Sequence, residues 1–285
     1  MIELIVNNFY NIKNKLYYKT LEKILYNLKK TNNIKKDQNP KITVYTPTKN
    51  RSDILISRAV KGVLNQSYKN FEYIIVGDYC VDDTKKKILE INDPRIKFYD
   101  LRDENITYKK FNDISLIWKR GGSFPSNFAL RKAQGTWIAR CDDDEEWKND
   151  FLKKSLDFAI NNDYEFVSSK SIYSKNDDAN QEGTSHYLYD DYFCTKKYQK
   201  GLYNCKIGAP STWLMRSYLK LFKFDTDCWR KKWNAVNDAE MIERFAYCGV
   251  NCGYLEEALS YQYPRPGNNS TGSKGMLNDY KKFQV

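Results

Sequence analysis

The segment WIARCDDDEEW, residues 137 to 147, places five consecutive acidic residues directly after a mostly apolar run. The run TWIARC (136–141) is typical of a buried β-strand, and the acids begin where that strand ends. Neighbouring carboxylates repel one another, so the cluster is costly unless something compensates its charge. The segment therefore predicts a polar site at the end of a core strand.

Strands and helices alternate on the N-terminal side of this segment. The predicted strands are ITVYT (42–46), YIIV (73–76) and RIKFYDL (95–101). The predicted helices are 52–66, with Ser52 as N-cap, and 126–135, between an N-cap at Ser126 and a terminating Gly135. This alternation is typical of βαβ units, so the sequence predicts an α/β fold with a mostly parallel central sheet flanked by helices.

Polar residues follow three of the predicted strands at the point where each strand ends. They are Thr46, Pro47 and Thr48 after the first strand, Asp78 after the second, and 142–144 after the last. Ligands of open parallel sheets bind beyond the carboxyl ends of the strands. The sequence therefore predicts one site to which these three segments contribute.

The acidic run has two interpretations. Glu145 and Glu146 are predicted to open a helix that starts at Trp147, where the helix dipole favours negative charge. Asp142 and Asp144 stand at the strand end itself, and two carboxylates at this spacing can hold one Mn²⁺ or Mg²⁺ together with substrate phosphates.

A second acidic spot, Asp238 and Glu240 in NDAEMIERF, lies at a predicted helix start. Asp238 is either an N-cap or a general base that faces the crevice, and the local pattern leaves both open. His186 is the only histidine, so Ser-His-Asp or Cys-His chemistry would depend on that one residue.

The composition narrows the class of protein. The 285 residues carry a net charge of +11, which favours anionic partners or reflects a solvated lysine surface. The seven cysteines are odd in number and form no Cys-x2-Cys pair, so zinc and a disulfide framework are not expected. Reduced thiols predict a cytoplasmic location.

Residues 1–38 are predicted to be a helical extension rich in lysine. Apolar residues recur there at helical spacing, at Ile12, Leu16, Leu21, Ile24, Leu25 and Leu28. Such a helix either lies on a membrane, here the inner face, or packs on its own domain. No signal peptide and no apolar run of membrane-spanning length is predicted. Residues 267–285 are predicted to be a polar tail.

Four segments occur in the order and spacing of family 2 glycosyltransferases: ITVYTPTKNR, AVKGVLNQSYKNFEYIIVGDYCVDDT, NFALRKAQGTWIARCDDDEEW and NDAEMIERF. The resemblance covers about residues 41–266 and implies the GT-A fold. It implies a domain of residues 39–266, with a nucleotide-sugar-binding half (39–146) and an acceptor-binding half (147–266).

The resemblance implies an inverting, metal-dependent transfer of a single sugar, most simply from a UDP-sugar, to a hydroxyl of a glycan or lipid-linked acceptor. The nucleotide-binding residues that it implies are Thr46, Pro47, Thr48, Arg51, Asp78, Asp142 and Asp143. Asp142 and Asp144 would hold Mn²⁺ or Mg²⁺, and Asp238 would be the general base.

The chain departs from the family pattern at several positions. Gly77, Tyr79 and Cys80 replace the usual residues of the nucleotide loop, and Arg265 stands where many relatives place a histidine near the diphosphate. Trp213 and Glu240 are further candidates for diphosphate or acceptor contacts, with core packing as the alternative for Trp213. The absence of a Gln-x-x-Arg-Trp motif argues against a processive polymer synthase.

Two other classes stay open on sequence grounds. A sugar-nucleotide pyrophosphorylase shares a related fold, but YTPTKNR does not resemble its Gly-rich loop. A non-enzymatic nucleic-acid or glycan-binding module would explain the positive charge and the aromatic residues. Acids at the strand ends would repel nucleic-acid phosphates, so we expect no nucleic-acid partner. The oligomeric state is not predicted.

Overall fold

The computed structural model describes residues 9, 12, 16–31, 39–108, 119–173, 184–185, 187–188, 206–228 and 236–263. The strands are β1 (Ile42–Thr48), β2 (Phe71–Gly77), β3 (Ile96–Asp100), β4 (Trp137–Arg140), β5 (Glu145–Trp147), β6 (Phe166–Tyr173), β7 (Thr184–Ser185), β8 (Tyr187–Leu188), β9 (Lys206–Ile207), β10 (Leu214–Arg216) and β11 (Cys252–Gln262).

The helices are α1 (Glu22–Thr31, preceded by a π-helical turn, Tyr17–Leu21), α2 (52–64, comprising Ser52–Leu55, a π-helical Ile56–Val60 and Lys61–Leu64), α3 (Thr84–Glu90), α4 (Ser123–Lys132), α5 (Phe151–Asn161) and α6 (Asn237–Cys248). Short 3₁₀ helices cover Pro210–Thr212 and Ser217–Leu221.

One sheet forms the centre of the molecule, with the strand order β3-β2-β1-β4-β10-β6-β11-β5 and with β7 paired to β6. The half β3-β2-β1-β4 is parallel, as the βαβ pattern predicts. In the other half β10 runs antiparallel to both β4 and β6, and β11 returns parallel to β6. The sheet is therefore parallel where the predicted site lies and mixed beyond it.

Both faces of the parallel half are buried, because successive side chains of a strand point to opposite faces. Ile42 and Val44 of β1 pack in a cluster with the apolar side of α2, whereas Tyr45 packs in a second cluster with Phe128 of α4. Fully buried faces explain why YIIV in β2 appears in the sequence as a continuous apolar run.

Strand β1 continues through Pro47, beyond the predicted end at Thr46. By the alternation of backbone groups, the missing N–H of Pro47 would point toward β4, whose pairing with β1 ends at Tyr45. The acceptor left over there is the carbonyl of Cys141, and the Thr46 hydroxyl donates to it at 2.7 Å. Proline is tolerated because its missing donor falls where the strands separate.

Several predicted boundaries and caps are wrong. Helix α2 begins at Ser52 instead of being capped by it, and the Ser52 N–H donates to Asp82 Oδ2 at 3.0 Å. Helix α4 starts at Ser123, so Ser126 lies inside the helix, and it ends at Lys132, three residues before Gly135. Gly122, with φ 70°, precedes α4 and permits the sharp entry.

Helix α1 packs on the domain through buried polar groups. Glu22 is fully buried, and the Arg244 guanidinium of α6 donates to it at 2.5 Å and to Glu240 at 2.9 Å. The Tyr26 hydroxyl, also buried, donates to Glu165 at 2.8 Å. One side of this helix therefore packs on its own domain, as one of the two interpretations of the extension predicts. Among the described helices, none has the length and apolar character needed to cross a bilayer.

We expect Arg244→Met to lower the free energy of unfolding by about 3–5 kcal/mol, because it leaves two buried carboxylates without their cation. Urea denaturation monitored by circular dichroism measures the change. Lys153→Met is the control, since it removes an exposed i,i+4 ion pair with Asp157 and should cost less than about 0.5 kcal/mol. A similar loss in the two variants would contradict the role of this buried network.

Candidate active site

The ends of β1, β2 and β4 are joined by hydrogen bonds through one residue, Thr48. Its carbonyl accepts from the N–H of Asp78 at 2.8 Å, and its hydroxyl donates to Asp143 Oδ2 at 2.8 Å. Thr48 also lies in register with Gly77, the last residue of β2. The structure therefore brings together the three strand ends that the sequence predicts to form one site.

Arginines compensate the acidic run. Arg51 Nη1 lies 3.0 Å from Asp143 Oδ1 and 3.1 Å from Asp144 Oδ2, and Arg58 donates to the backbone carbonyl of Asp144 at 3.1 Å. Arg140, the last residue of β4, donates from Nε to Asp142 Oδ1 at 2.7 Å. The repulsion within the run is thus relieved from two sides, by the start of α2 and by the strand itself.

The arginines compensate only part of the negative charge of the acidic run. Burial raises the pKa of the Asp143 carboxyl, the Arg51 guanidinium lowers it, and the Asp144 carboxylate raises it again. Burial, followed by the Asp142 and Asp144 carboxylates, holds the pKa of Glu145 well above its usual range. Glu145 Oε2 is buried without a hydrogen-bond partner in the described part of the chain. The site therefore holds more negative charge than its arginines neutralise.

The acids at the end of the run do not open a helix, contrary to the prediction. Glu145–Trp147 form β5, which pairs antiparallel with β11, and α5 begins only at Phe151. The Trp147 indole N–H donates to the carbonyl of Ser211 at 2.6 Å, and Glu146 pairs with Lys61 at 3.1 Å. Burial of the Trp147 indole in the core therefore outweighs the preference of acidic residues for the start of a helix.

Asp238 lies in the first turn of α6, as predicted, and its Oδ1 accepts from the N–H of Ala239 at 2.7 Å. The preceding Asn237 side chain donates to Gly121 O at 2.8 Å and to Ser123 Oγ at 2.6 Å. These bonds fix the start of α6 against the start of α4. Burial raises the pKa of Asp238, Arg140 opposes the rise, and Asp142 adds to it. Asp238 therefore bonds its own helix and also interacts with the acidic run.

Arg140 is the residue that sequence reasoning missed. It is 9% exposed, it pairs with Asp142, and it interacts electrostatically with Asp238. Its Nη1 is buried without a hydrogen-bond partner among the described residues. An arginine at the end of an apolar strand, two residues before an acid, is the sequence signal that would have identified it.

Aromatic residues and an arginine surround Asp78. The Tyr108 hydroxyl donates to Asp78 Oδ1, and Lys49 Nζ lies 3.5 Å from Oδ2. The Tyr108 ring stacks on Phe124 with 4.0 Å between centroids, and the Arg120 guanidinium lies 4.7 Å from the Phe124 centroid. Burial and the Asp78 carboxylate raise the pKa of Tyr108, so this hydroxyl stays a hydrogen-bond donor.

Three candidates have buried side chains that face the interior. The Thr46 hydroxyl, 0% exposed, is bonded to Tyr73 and to the Cys141 carbonyl. The Trp213 indole is 5% exposed and donates to Gly208 O, and Glu240 is 1% exposed and paired with Arg244. We therefore assign none of the three a ligand contact. Pro47 is partly exposed beside Gly122. Arg265 and His186 lie outside the described residues.

The chain belongs to glycosyl transferase family 2, because the model of that family matches residues 43–221, more than half of its length. Among curated relatives, the UDP-Glc:alpha-D-GlcNAc-diphosphoundecaprenol beta-1,3-glucosyltransferase WfgD of Escherichia coli is 29% identical over 192 residues, which cover 64% of this chain and 63% of that protein. The chain spans 34% to 63% of the length of four such relatives.

Solved structures share the architecture. The S. aureus TarS 1–349 structure in complex with UDP-GlcNAc aligns with a TM-score of 0.57 and 18% identity, over 80% of this chain and 60% of that one. The mannosyltransferase PcManGT from Pyrobaculum calidifontis, in complex with GDP-Man and Mn²⁺, aligns with a TM-score of 0.57 and 16% identity, over 89% and 68%. The likeness shows the GT-A fold, as predicted.

The acidic run suits a divalent cation. No group of three or more acidic, histidine or cysteine side chains forms a metal cage among the residues described. Mg²⁺ and Mn²⁺ at phosphate sites need only one or two carboxylates, because phosphates and water complete the coordination. Asp142 and Asp144 keep 23% and 17% of their side-chain surfaces exposed, and the site carries uncompensated negative charge.

Glu145→Gln is expected to raise the free energy of unfolding at pH 7.5 in buffer with EDTA. The folded state raises the pKa of Glu145, so ionisation at neutral pH costs folding free energy, and that cost disappears as the pH falls through the raised pKa. The gain should therefore shrink toward pH 5 in urea titrations. Glu146→Gln is the adjacent control and should give no gain. Equal losses of stability in both variants would contradict the assignment.

Proposed function

We propose that this chain is a metal-dependent, inverting glycosyltransferase that moves one sugar from a UDP-sugar to a hydroxyl of a lipid-linked glycan. The observation that carries the proposal is the hydrogen-bonded meeting of the β1, β2 and β4 ends at Thr48, together with the electrostatic interaction of Arg140 with Asp238 in the first turn of α6. Family membership supports the reaction class, and the excess of carboxylates supports a cationic, phosphate-bearing complex as the ligand.

In the donor complex, Asp142 and Asp144 would hold Mn²⁺ or Mg²⁺, which supplies positive charge where the departing diphosphate becomes more negative. Asp78, whose carboxylate contacts Tyr108 and Lys49, would accept a hydrogen bond from the nucleobase. The buried Asp143 carboxylate accepts from Thr48 and pairs with Arg51, and so holds both side chains in position. We therefore assign Asp143 a positioning role in place of direct nucleotide contact.

Asp238 is the proposed general base. Its raised pKa makes it a stronger base than an ordinary aspartate, and the Arg140 guanidinium opposes the rise by favouring the ionised carboxylate. Asp238 takes the proton of the acceptor hydroxyl while that oxygen bonds to the anomeric carbon and the bond to the diphosphate breaks. Displacement in one step inverts the anomeric configuration.

The name of one relative supports the class of acceptor that we propose. The Escherichia coli enzyme named above acts, by its name, on a GlcNAc-diphosphoundecaprenol acceptor. We propose the same kind of acceptor, a sugar carried on a lipid diphosphate, for this chain. A cytoplasmic location stays a prediction; no disulfide joins the five described cysteines.

A thermal-shift panel of UDP-, GDP- and TDP-sugars with and without Mn²⁺ tests donor binding. We expect a UDP-sugar to stabilise the protein only when Mn²⁺ is present, and Asp144→Asn to abolish that Mn²⁺-dependent shift by removing a metal ligand. Asp157→Asn, an exposed aspartate on α5, is the control and should keep the shift. A full shift in Asp144→Asn would contradict the metal assignment.

Asp238→Asn is expected to keep donor affinity within about threefold and to lower kcat at least about 100-fold, as loss of a general base does. The acidic limb of the wild-type kcat/KM profile should lie above the pH expected for an ordinary aspartate, because activity requires the ionised form of a group whose pKa is raised. Transfer rates come from a radiolabelled UDP-sugar and a synthetic lipid-diphosphate acceptor. Wild-type turnover in Asp238→Asn would exclude this base.

A further inference from the structure

The N-terminal helix carries an exposed apolar face. The described residues include ten large apolar side chains that are exposed, and seven of them lie between residues 9 and 28. Leu21, Ile24 and Leu28 are 45%, 51% and 58% exposed and recur at i, i+3 and i+7, so they share one side of the helix. Such clustering is unusual for a face that contacts only water.

The opposite side of the same helix is fixed to the domain. Glu22 and Tyr26 are buried there, bonded to Arg244 and Glu165. The exposed face therefore has a set orientation.

The positive charge of the N-terminal segment indicates which kind of surface this apolar face binds. Residues 1–38 contain eight lysines and three acidic residues, and Glu22, the one acid within 16–31, is turned inward. Lys29 is exposed on the helix, whereas the Lys23 ammonium lies 5.6 Å from the ring centroid of Tyr247 on α6. An apolar face on so lysine-rich a segment matches an anionic lipid surface, whereas two copies of so basic an extension repel each other.

We propose that this face docks on an anionic phospholipid bilayer, with Leu21, Ile24 and Leu28 in the boundary between headgroups and acyl chains. Arg244, which holds α1, lies six residues after Asp238 on α6, a rise of about 9 Å along the helix axis. Docking would therefore place the proposed base close to the membrane surface. This inference rests on the proposed function for its purpose, since a lipid-linked acceptor presents its sugar at that surface.

Sedimentation of the full chain with sucrose-loaded vesicles tests the inference. The vesicles are phosphatidylcholine with 30% phosphatidylglycerol, compared with phosphatidylcholine alone. We expect binding to the anionic vesicles, and the double variant Ile24→Glu/Leu28→Glu should lower the apparent affinity by about tenfold or more. The matched control is Leu89→Glu/Ile160→Glu, which adds the same charge at exposed apolar positions on α3 and α5 and should bind nearly as the wild type does.

Equal loss of binding in the two double variants would overturn the proposal, because it would reflect net charge and not this face. So would wild-type affinity in Ile24→Glu/Leu28→Glu, or a dimer by light scattering that this variant dissociates while vesicle binding is absent. The UDP-sugar thermal shift separates the two proposals: it is expected to be unchanged in the double variant. Vesicle binding without any donor shift in the wild type would refute the proposed function and leave the docking face standing.

Discussion

The contact on which the rest of the site depends is the pairing of Arg51 with Asp143 and Asp144. Asp143 is nearly inaccessible to water, so without Arg51 its carboxylate would be buried at the end of the sheet with no cation in contact. Once Arg51 is in place, Asp143 can accept from Thr48, and Thr48 in turn holds the backbone of Asp78. A single guanidinium thus connects the polar ends of three strands and the start of α2.

Arg140 compensates negative charge on the other side of the site, toward α6. It contacts one acid of the run directly and influences Asp238 through space, so the charge state of the proposed base depends on the strand that carries the proposed metal ligands. Arginine suits such a place because its charge persists when buried. The site is therefore a set of carboxylates whose properties are coupled through two arginines.

The sequence predicts the parallel half of the fold well, since β1, β2 and β4 are rich in apolar and β-branched residues and polar residues mark their ends. It also places Asp238 at a helix start. It fails where tertiary contacts decide the outcome. Nothing local shows that Glu145 and Glu146 join β11 as a strand. NDAEMIERF contains both Glu240 and Arg244 at i,i+4 spacing, but nothing in it shows that this pair is buried together with Glu22. Helix caps fail for a similar reason, because α4 starts directly after Gly122, three residues before the predicted cap at Ser126.

Pro47 has an effect on the whole crevice. Two parallel strands normally continue pairing for as long as donors and acceptors face each other, and the imide nitrogen of residue 47 stops that process between β1 and β4. The Thr46 hydroxyl then satisfies the orphaned carbonyl, and beyond it the two strand ends are joined by the side chains of Thr48 and Asp143. The covalent structure of residue 47 therefore sets where backbone pairing stops, and a ligand bound beyond that point would displace no main-chain hydrogen bond between β1 and β4.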